Sequence, residues 1–348
     1  MSTHHSSPRI LIVGCGGIGG VLGATLLRRG WAVHIATTNA AVRRAWMTTG
    51  PYLQGNRLGI ALAGKYLADR ASAAPGKFDF IFVAVQPPQM ETVGLELSGK
   101  LSAAGRVVCL SNGWCEPLLS RHVEATRLIG AVVTWGARMR RPGHYERTSH
   151  GGFLVGSFSP QFDPGLQATR ALLNVVAPAQ ITHNLKGARF SKLAINCAIS
   201  ALGTIGGDSL GRLLRRKQIR SLGIELIREA VQVAHADRVQ LEQVGPIDLS
   251  KLVALDQEWF GPQLQHGLLL LVGARYRKLR SSMLSALERG RAPAVEFLNG
   301  EISRRGQALE VQTPYNMAAT AIIWAIARGE LAAGPGAIDQ LERQGKLS

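Results

Sequence analysis

The pattern of apolar and polar positions divides the chain into two halves of different texture. In the first half, short apolar runs that are typical of buried strands alternate with helical patterns, the first of them a helix over residues 17–29. These runs cover residues 10–13, 31–36, 80–85 and 106–110. Strands that alternate with helices build a parallel sheet with helices on its faces. Two more strand-like runs, 128–137 and 151–158, follow, joined by a polar, turn-rich connection over residues 138–150.

Beyond about residue 184 the strand pattern stops and helical periodicity takes over. It predicts helices over residues 191–202, 215–234, 267–286, 294–307 and 315–328. The sequence therefore predicts an α/β domain over residues 1–184, followed by an all-helical domain over residues 185–348.

The composition agrees with a globular protein, since 46% of the 348 residues are hydrophobic and 18% are charged. No apolar run approaches the length of about 18 residues that a membrane-spanning helix needs. Residues 1–7 have no basic segment followed by an apolar one, so no secretory signal is visible. We expect a cytoplasmic protein, in which the four cysteines are buried, reduced thiols.

The charge balance is strongly basic, with 40 Lys and Arg against 23 Asp and Glu and a net charge of +17. Such an excess suits a nucleic acid, an anionic cofactor or an acidic substrate. The densest basic cluster, residues 211–220, is interpreted as the solvated face of a helix because no aromatic residues are interleaved with it. The histidines lack metal-ligand spacing. We predict no nucleic-acid partner, no membrane partner and no metal.

A glycine-rich loop stands directly between the first predicted strand and the helix that follows it. The six residues that match G-x-G-x-x-G are Gly14, Cys15, Gly16, Gly17, Ile18 and Gly19. Gly14 would permit the tight turn, Gly16 would let the backbone approach a pyrophosphate, and Gly19 would let helix and strand pack closely. The helix N-terminus would offer its N–H groups and positive dipole end to the phosphates. A mere packing turn is the alternative, but the strand–turn–helix context favours dinucleotide binding.

The residues after the second strand indicate which dinucleotide is bound. An NAD site usually places an acidic residue there to hold the ribose hydroxyls. Here the strand runs into Thr37 and Thr38, and the first acidic residue of the chain is Asp69. Arg43 and Arg44 follow one helical turn later, where they could pair with a 2′-phosphate. The two arginines could instead form a solvated helix face, but the missing carboxylate favours NADP(H).

One lysine stands alone in an apolar helix. Lys192 is the only charged residue in the stretch 191–207, and it shares a helix face with Asn196 and Ser200 at spacings of four and eight. A lone lysine usually has a solvated tip. This helix lacks a charged face, however, so we expect it to be buried and its polar stripe to be functional. Desolvation would lower the lysine pKa toward neutrality, which suits a proton donor to a developing alkoxide.

Taken together, these segments resemble the ketopantoate reductase family, the NADPH-dependent 2-dehydropantoate 2-reductases, over about residues 9–328. Besides the glycine loop, the resemblance rests on Leu110-Ser111-Asn112-Gly113, Lys192-x-x-x-Asn196, Arg280-Ser281-Ser282-Met283-Leu284, Phe297-Leu298-Asn299-Gly300 and Thr313-Pro314-x-Asn316. The resemblance implies a Rossmann-type N-terminal domain and an all-helical C-terminal domain of the 6-phosphogluconate-dehydrogenase type, which would serve the substrate and dimerisation. It also implies the reduction of a 2-keto acid by hydride transfer from the nicotinamide.

The resemblance also implies roles for individual residues. Lys192 would be the general acid that polarises and protonates the ketone oxygen. Asn112 would orient the nicotinamide and the substrate. Asn196 would hold polar groups of the substrate, and Ser282 would hold its carboxylate.

The chain departs from the family pattern at four positions. Thr38 replaces a basic residue after the second strand, so one of the two arginines would have to serve the 2′-phosphate. Gln86 replaces a lysine of the cofactor site, and Ser200 replaces a second asparagine of the substrate site. Ala294 replaces the glutamate that binds the distal part of the substrate. Glu296 cannot stand in for it, because two residues along a helix are about 200° apart.

These features lead to the hypothesis of an NADPH-dependent reductase of this family whose substrate differs from ketopantoate. A 2-oxo acid or a related carbonyl compound or imine is the expected small-molecule substrate. A true 2-dehydropantoate 2-reductase with a remodelled pocket and a catalytically silent NADP-binding protein remain as alternatives. A homodimer is compatible with this interpretation.

Overall fold

The computed structural model describes residues 7–347, apart from residues 162, 246, 247, 256, 257 and 278. The described chain divides into two compact units, one that ends at Leu185 and one that begins at Lys186. None of the described helices is long and apolar enough to cross a bilayer. All four cysteines lie within the described residues, are buried and form no disulfide.

The first unit contains both strands and helices. Its strands are β1 (Ile10–Val13), β2 (Val33–Ala36), β3 (Tyr52–Leu53), β4 (Asn56–Arg57), β5 (Leu67–Ala68), β6 (Phe78–Val83), β7 (Leu101–Cys109), β8 (Leu128–Val133), β9 (Ala137–Arg141), β10 (His144–Arg147), β11 (Phe153–Ser157) and β12 (Ala179–Ile181). Its helices are α1 (Gly17–Arg28), α2 (Ala40–Thr48), α3 (Met90–Glu96), α4 (Glu116–Leu119) and α5 (Gly165–Asn174).

The main sheet of this unit has eight strands in the order β12-β11-β8-β7-β6-β1-β2-β5. The six strands from β8 to β5 are parallel to one another, and β11 runs antiparallel to β8. Numbered along the chain, the parallel strands follow the order 3-2-1-4-5-6 of dinucleotide-binding folds. Strand β1 is buried along its whole length, as expected of a central parallel strand covered on both faces. The prediction of a Rossmann-type α/β domain is confirmed.

A second, small sheet corrects the sequence analysis. Residues 138–150 were predicted to be a polar connection, but they contribute the antiparallel strands β9 and β10, and the sheet order is β4-β3-β10-β9. The strand pattern is hidden because arginines occupy its exposed positions. In this small sheet the side chain of Tyr145 is fully buried and packs against α1. A Cβ atom on Gly20 of that helix would come within 2.0 Å of the Tyr145 ring.

The second unit is helical in its described part, as predicted. Its helices are α6 (Leu185–Ile205), which begins at the last residue of the first unit, α7 (Leu210–Leu213), α8 (Lys217–Ala236), α9 (Leu249–Ala254), α10 (Gly261–Arg275), α11 (Ser282–Leu287), α12 (Asn299–Ala308), α13 (Pro314–Ala327) and α14 (Pro335–Lys346). Buried apolar side chains from α6, α8, α12, α13 and α14 form one continuous core.

Two of the predicted helices are each divided in the structure. The helix predicted over residues 267–286 is wrong, because α10 ends at Arg275 and α11 begins at Ser282, capped by the Ser281 hydroxyl. The helix predicted over residues 294–307 consists of a short 3₁₀ turn, Val295–Phe297, followed by α12. Helix α14 was not predicted.

The basic cluster 211–220 is also not one solvated helix face. Helix α7 ends at Leu213, and α8 begins at Lys217. Arg220 is buried, and its Nη1 donates hydrogen bonds to the carbonyl oxygens of Leu214 (2.7 Å) and Arg215 (2.8 Å). The guanidinium therefore satisfies carbonyl groups just after the end of α7, as cations near helix C-termini often do.

Candidate active site

The loops that follow β1, β6 and β7 come together at the carboxyl edge of the main sheet. Gly14 has φ of +92°, and a Cβ atom there would stand 2.8 Å from the carbonyl oxygen of Ala84. The Ser111 hydroxyl donates a 2.8 Å hydrogen bond to the carbonyl oxygen of Val85. Strands β1 and β6 are where the strand order reverses, and ligands of open α/β sheets bind outside that point.

The glycine loop has the local geometry that its spacing predicts. A Cβ atom on Gly19 would lie 1.9 Å from the Gly14 carbonyl oxygen, so only glycine lets α1 pack this closely on the turn. At Gly16 a Cβ atom would meet nothing within 4 Å, and Gly17 and Ile18 are partly exposed. Open space therefore lies beside Gly16 at the start of α1, where an anion such as a pyrophosphate can approach the helix N-terminus, whereas a Cβ atom on Gly17 would stand 2.5 Å from the Ala137 carbonyl oxygen.

Cys15 differs from the other residues of this loop, because its side chain points into the core. Its Sγ lies 3.1 Å from the hydroxyl of Tyr145, which also accepts a 2.9 Å hydrogen bond from Trp46 Nε1. Burial raises the pKa of the Cys15 thiol to about 12. Cys15 can serve a cofactor only through its backbone. Tyr145 is a residue that the sequence analysis missed, and an aromatic residue within a segment rich in arginine was the available signal.

Gln86 and Asn112 are both exposed at this edge of the sheet. Gln86 lies three residues beyond the end of β6, and Asn112 lies three residues beyond the end of β7. The Asn112 carbonyl oxygen accepts a hydrogen bond from the Cys115 thiol, and Gly113 has φ of +84°. The thiol-to-carbonyl hydrogen bond thus holds the turn, while Asn112 itself is exposed.

The residues predicted to hold a 2′-phosphate lie just after β2 and in the helix α2 that follows it. Arg43 donates from Nη1 to the Thr37 carbonyl oxygen at 2.5 Å, whereas Thr38 and Arg44 are exposed. Both arginines line a cavity of about 300 Å³, whose other lining residues are Ala40, Met47, Gly64 and Leu67. A cavity with two guanidinium groups in its wall suits an anion.

A carboxylate also stands in this corner, although it is distant in sequence. Asp69 directly follows β5, and Ala68 of that strand accepts a 2.9 Å hydrogen bond from the backbone N–H of Thr37. The hydrogen bond from Arg70, with a smaller contribution from the charge of Arg43, lowers the pKa of Asp69. The sequence analysis therefore missed a carboxylate, because Asp69 is distant from Thr37 in the chain but close to it in the fold.

The second unit presents the predicted polar stripe on α6. Lys192 is half-buried, and desolvation lowers its pKa from 10.5 to about 8. Asn196 is 8% exposed, and within the described chain its buried Nδ2 has no hydrogen-bond partner. An unsatisfied buried amide costs about 1–3 kcal/mol, so this Nδ2 is a donor that a bound group or a water molecule can satisfy. Ser200, the third member of the stripe, is half-buried.

The N-terminus of α11 is joined to the end of this stripe. The Ser281 hydroxyl donates to the Ser200 carbonyl oxygen at 3.0 Å and accepts from the N–H groups of Met283 and Leu284. Ser282, the first residue of α11, is exposed beside it. The sequence analysis named Ser282 for the substrate, whereas Ser281, the buried residue that positions it, went unassigned.

The two asparagines of the C-terminal motifs, Asn299 and Asn316, belong to a buried hydrogen-bond network that reaches the backbone of α6. Asn299 Nδ2 donates to the Cys197 carbonyl oxygen (3.1 Å) and to Asn316 Oδ1 (2.9 Å). Asn316 Nδ2 donates to Glu229 Oε2 at 2.7 Å, and burial raises the pKa of Glu229. This buried network fixes the backbone of α6 next to Asn196.

Ala294 lies just before the 3₁₀ turn. The carboxylate nearest to it in sequence, Glu296, forms a hydrogen bond with a tryptophan of α13. Glu296 is exposed, and its Oε1 accepts a 2.6 Å hydrogen bond from Trp324 Nε1. In a 3₁₀ turn two residues are about 240° apart, rather than the 200° of the predicted α-helix. Glu296 still does not replace the missing glutamate.

The strand order and the glycine loop define a protein that joins a Rossmann-type domain to a helical domain. A family model described as "Ketopantoate reductase PanE/ApbA" matches residues 10–160, and "Ketopantoate reductase PanE/ApbA C terminal" matches residues 184–327. The chain belongs to the ketopantoate reductase family of oxidoreductases, as the sequence motifs indicate.

Individual relatives are distant. A 2-dehydropantoate 2-reductase of Archaeoglobus fulgidus is 24% identical over 88% of this chain and 94% of its own length. A ketopantoate reductase of Ralstonia eutropha superimposes with a TM-score of 0.77 at 23% identity, covering 92% of this chain and 99% of that one. A D-mandelate dehydrogenase, solved with NADH and anilino(oxo)acetate, gives the same TM-score at 18% identity and the same coverage of both chains. At these identities the structural likeness supports the fold.

Proposed function

We propose that the protein reduces a 2-oxo acid with NADPH and that Lys192 protonates the carbonyl oxygen. One observation carries the proposal. A lysine whose pKa is lowered to about 8 shares a helix face with a buried asparagine amide that lacks a partner. A purely structural helix would satisfy that amide and solvate that lysine, whereas a ligand with oxygen acceptors satisfies both.

The first unit would hold the cofactor, which supplies the hydride when it is bound. The open space over Gly16 and the N-terminus of α1 would receive the pyrophosphate. The exposed Gln86 and Asn112 would flank the nicotinamide end, and the exposed Thr38 would face the ribose.

The second unit would supply the proton. The Lys192 ammonium would donate a hydrogen bond to the ketone oxygen and transfer a proton to it as negative charge develops there. A pKa near 8 suits this role, because the group stays protonated at neutral pH and still gives up its proton readily. Asn196 would donate from its unsatisfied Nδ2 to the substrate, while Ser200 and Ser282 would bind its carboxylate end.

The arginines of α2, the helix that follows β2, support NADPH over NADH. Arg43 and Arg44 share one cavity wall, and each could pair with a 2′-phosphate. Asp69 opposes this preference, because a carboxylate repels a phosphate and accepts hydrogen bonds from a ribose diol. Two cations against one exposed carboxylate leave the balance in favour of NADPH.

Ala294 supports a substrate other than ketopantoate. With alanine in place of the glutamate that the family pattern has there, a distal hydroxyl would be desolvated without an acceptor, at a cost of about 1–3 kcal/mol. The D-mandelate dehydrogenase that shares this fold was solved with anilino(oxo)acetate, an N-aryl oxamate that carries an aryl group beside a carbonyl and a carboxylate. We therefore propose alkyl or aryl 2-oxo acids as the substrate class.

The test follows the absorbance of NADPH while a panel of 2-oxo acids, including ketopantoate, is offered to the purified protein. We expect turnover with at least one alkyl or aryl 2-oxo acid. Lys192→Met should abolish most of that turnover, while Lys186→Met, on the same helix but paired with Asp237 at 3.2 Å, should retain it. Turnover of ketopantoate alone would make the chain a true 2-dehydropantoate 2-reductase. Cofactor binding without any turnover would identify a silent NADP-binding protein.

A further inference from the structure

The side chain that caps helix α11 also binds α6. The Ser281 hydroxyl accepts hydrogen bonds from the N–H groups of Met283 (3.2 Å) and Leu284 (3.3 Å), as an N-cap residue does. It also donates to the Ser200 carbonyl oxygen at 3.0 Å, although 81 residues separate the two in the chain. A cap needs only the first two contacts. The third ties the start of α11 to the turn of α6 that ends the polar stripe.

A second buried hydroxyl strengthens this connection. Thr204 Oγ1 donates to the same Ser200 carbonyl oxygen at 2.7 Å and lies 2.9 Å from the Ser281 Oγ. Because the Ser281 oxygen already accepts from two N–H groups, its proton is directed toward α6. Thr204 is fully buried and Ser281 is 6% exposed, so bulk water does not compete for these contacts. We refer to Ser200, Thr204 and Ser281 as the α6–α11 joint.

The joint forms where α6 lacks a side chain. A Cβ atom on Gly203 would stand 3.0 Å from the Ser281 Cβ, which is closer than two carbon atoms ordinarily approach. Thr204 lies four residues beyond Ser200, so helical spacing places it on the face that carries the polar stripe. The stripe therefore leads directly to the joint.

The chain that leads into α11 is held at a further point. The Leu279 carbonyl oxygen accepts a 2.8 Å hydrogen bond from the Leu210 N–H at the start of α7. A Cβ atom on Gly211 of α7 would collide with the Cα atom of Arg277, so the two segments touch backbone to backbone. Ser282 therefore follows a segment that is fixed by α7 and by the joint, while Ser282 itself is exposed.

We propose that Ser281 and Thr204 are positioning residues that hold the Ser282 hydroxyl at the end of the polar stripe, where it selects a substrate with a free carboxylate. The inference rests on the proposed function, which assigns Ser282 to the carboxylate of a 2-oxo acid. Ser282 directly follows the joint, so a shift of the joint moves its hydroxyl relative to the stripe. Lys192 lies about two helical turns before Ser200, so proton transfer is spared.

The charge of the bound group decides how strongly the joint affects binding. A hydroxyl that donates to a carboxylate forms a charge-assisted hydrogen bond, roughly twice as strong as one to a neutral ester. A displaced Ser282 hydroxyl should therefore weaken the binding of a 2-oxo acid more than the binding of its methyl ester. A cap that only stabilised α11 would affect both compounds equally.

The first experiment compares the best 2-oxo acid with its methyl ester in steady-state kinetics with NADPH. Ser281→Ala and Thr204→Val should each raise KM for the acid about tenfold, as loss of a hydrogen bond to a charged group does, while kcat and the Kd for NADPH change little. The preference for the acid over the ester should fall by the same factor. Thr204→Ser keeps the hydroxyl and should restore the unmodified values.

Two matched controls lie outside the joint. Asp248 caps α9, which like α11 has six residues, through a 3.2 Å hydrogen bond from the Lys251 N–H. The fully buried Thr169 donates to the Gly165 carbonyl oxygen of its own helix at 2.9 Å. Asp248→Ala and Thr169→Val should lower Tm as the joint variants do, yet leave KM and the preference for the acid unchanged. If Ser281→Ala does not fold, Thr204→Val carries the comparison.

A double-mutant cycle with Ser282→Ala shows whether the joint acts through Ser282. Ser281→Ala should raise KM about tenfold in the unmodified chain and have almost no further effect on KM in the Ser282→Ala variant. Additive effects, or joint variants that behave like the two controls, would overturn this inference, while turnover of 2-oxo acids by the unmodified chain upholds the proposed function. Absence of that turnover would overturn both.

Discussion

The hydroxyl of Tyr145 lies 3.1 Å from the thiol of Cys15, although 130 residues separate the two in the chain. This contact joins the small sheet to the underside of the glycine loop. The same hydroxyl accepts a hydrogen bond from Trp46 Nε1 and donates to the Cys15 carbonyl oxygen at 3.3 Å. The loop that would carry the pyrophosphate is therefore held in place from the core.

Removing this hydroxyl should weaken both the fold and the cofactor site. Tyr145→Phe leaves the Trp46 indole N–H buried without its acceptor, which costs about 1–3 kcal/mol of unfolding free energy. We also expect a higher Kd for NADPH, because the loop loses its anchor. Urea unfolding and fluorescence titration measure the two effects. Tyr52→Phe, a half-buried tyrosine in the same small sheet, is the control; equal behaviour of the two variants would show that the Tyr145 hydroxyl positions nothing.

The stability of the first unit should depend on pH through His34. This buried histidine lies edge-on against the rings of Tyr66 and Phe78, and burial, assisted by the charge of Arg9, lowers its pKa to about 4. Because the unfolded chain binds the proton more readily, this contribution to stability is complete above pH 6.5. It is lost progressively as the pH falls from 6.5 to 4, by about 3 kcal/mol in total.

Urea unfolding between pH 7 and pH 4.5 checks this dependence. His34→Gln should be less sensitive to pH than the unmodified protein over this interval. His183→Gln, at an exposed histidine, should keep the original pH dependence. Parallel curves for all three proteins would contradict the assignment of the buried proton site to His34.

The preference for NADPH should reside in the corner at the end of β2. Loss of Arg43 and Arg44 together should raise Kd for NADPH about tenfold or more and leave Kd for NADH nearly unchanged, since each charged hydrogen bond contributes about 1.5–3 kcal/mol. Asp69→Asn should strengthen NADPH binding by removing a nearby carboxylate. Arg57→Ala, at an exposed arginine of β4, is the control. Equal affinities of the unmodified protein for both cofactors in a fluorescence titration would contradict the preference.

Restoring the missing carboxylate should shift the choice of substrate. Ala294→Glu should raise kcat/KM for ketopantoate relative to alkyl and aryl 2-oxo acids, because the distal hydroxyl regains an acceptor worth about 1–3 kcal/mol. Ala292→Glu, two residues earlier at an exposed position, controls for the added charge. The account of the pocket fails if the unmodified protein already prefers ketopantoate or if both variants behave alike.

The sequence predicts best those features that depend on local patterns. The buried strand Ile10–Val13 and the glycine loop were correctly predicted because apolar runs and obligatory glycines are local signals. Hairpin β9–β10 was missed because its exposed arginines resemble a loop, and only its packing on α1 reveals the strands. The break before α11 was missed because the Ser281 cap was not recognised within the apolar pattern, and the hydrogen bond from its hydroxyl to the Ser200 carbonyl oxygen of α6 depends on tertiary packing.

Contacts between residues distant in the chain account for what the sequence could not predict about the site. Asp69 lies close to Thr37 because β5, which directly precedes Asp69, pairs with β2. The network from Asn299 through Asn316 to Glu229 spans three helices, so its role in bracing α6 depends on tertiary packing. The stripe of Lys192, Asn196 and Ser200 was visible because helical spacing alone places the three residues on one face.

The most direct test of the central claim is the pH dependence of single-turnover reduction of the best substrate by bound NADPH. If Lys192 with its pKa of about 8 is the proton donor, the rate should stay level up to about pH 8 and fall about tenfold per pH unit above it. Lys192→Met should react about a hundredfold or more slowly, with no such break and with an unchanged Kd for NADPH. A Lys192→Met variant that keeps the rate and the pH profile of the unmodified protein would contradict the assignment of the proton donor.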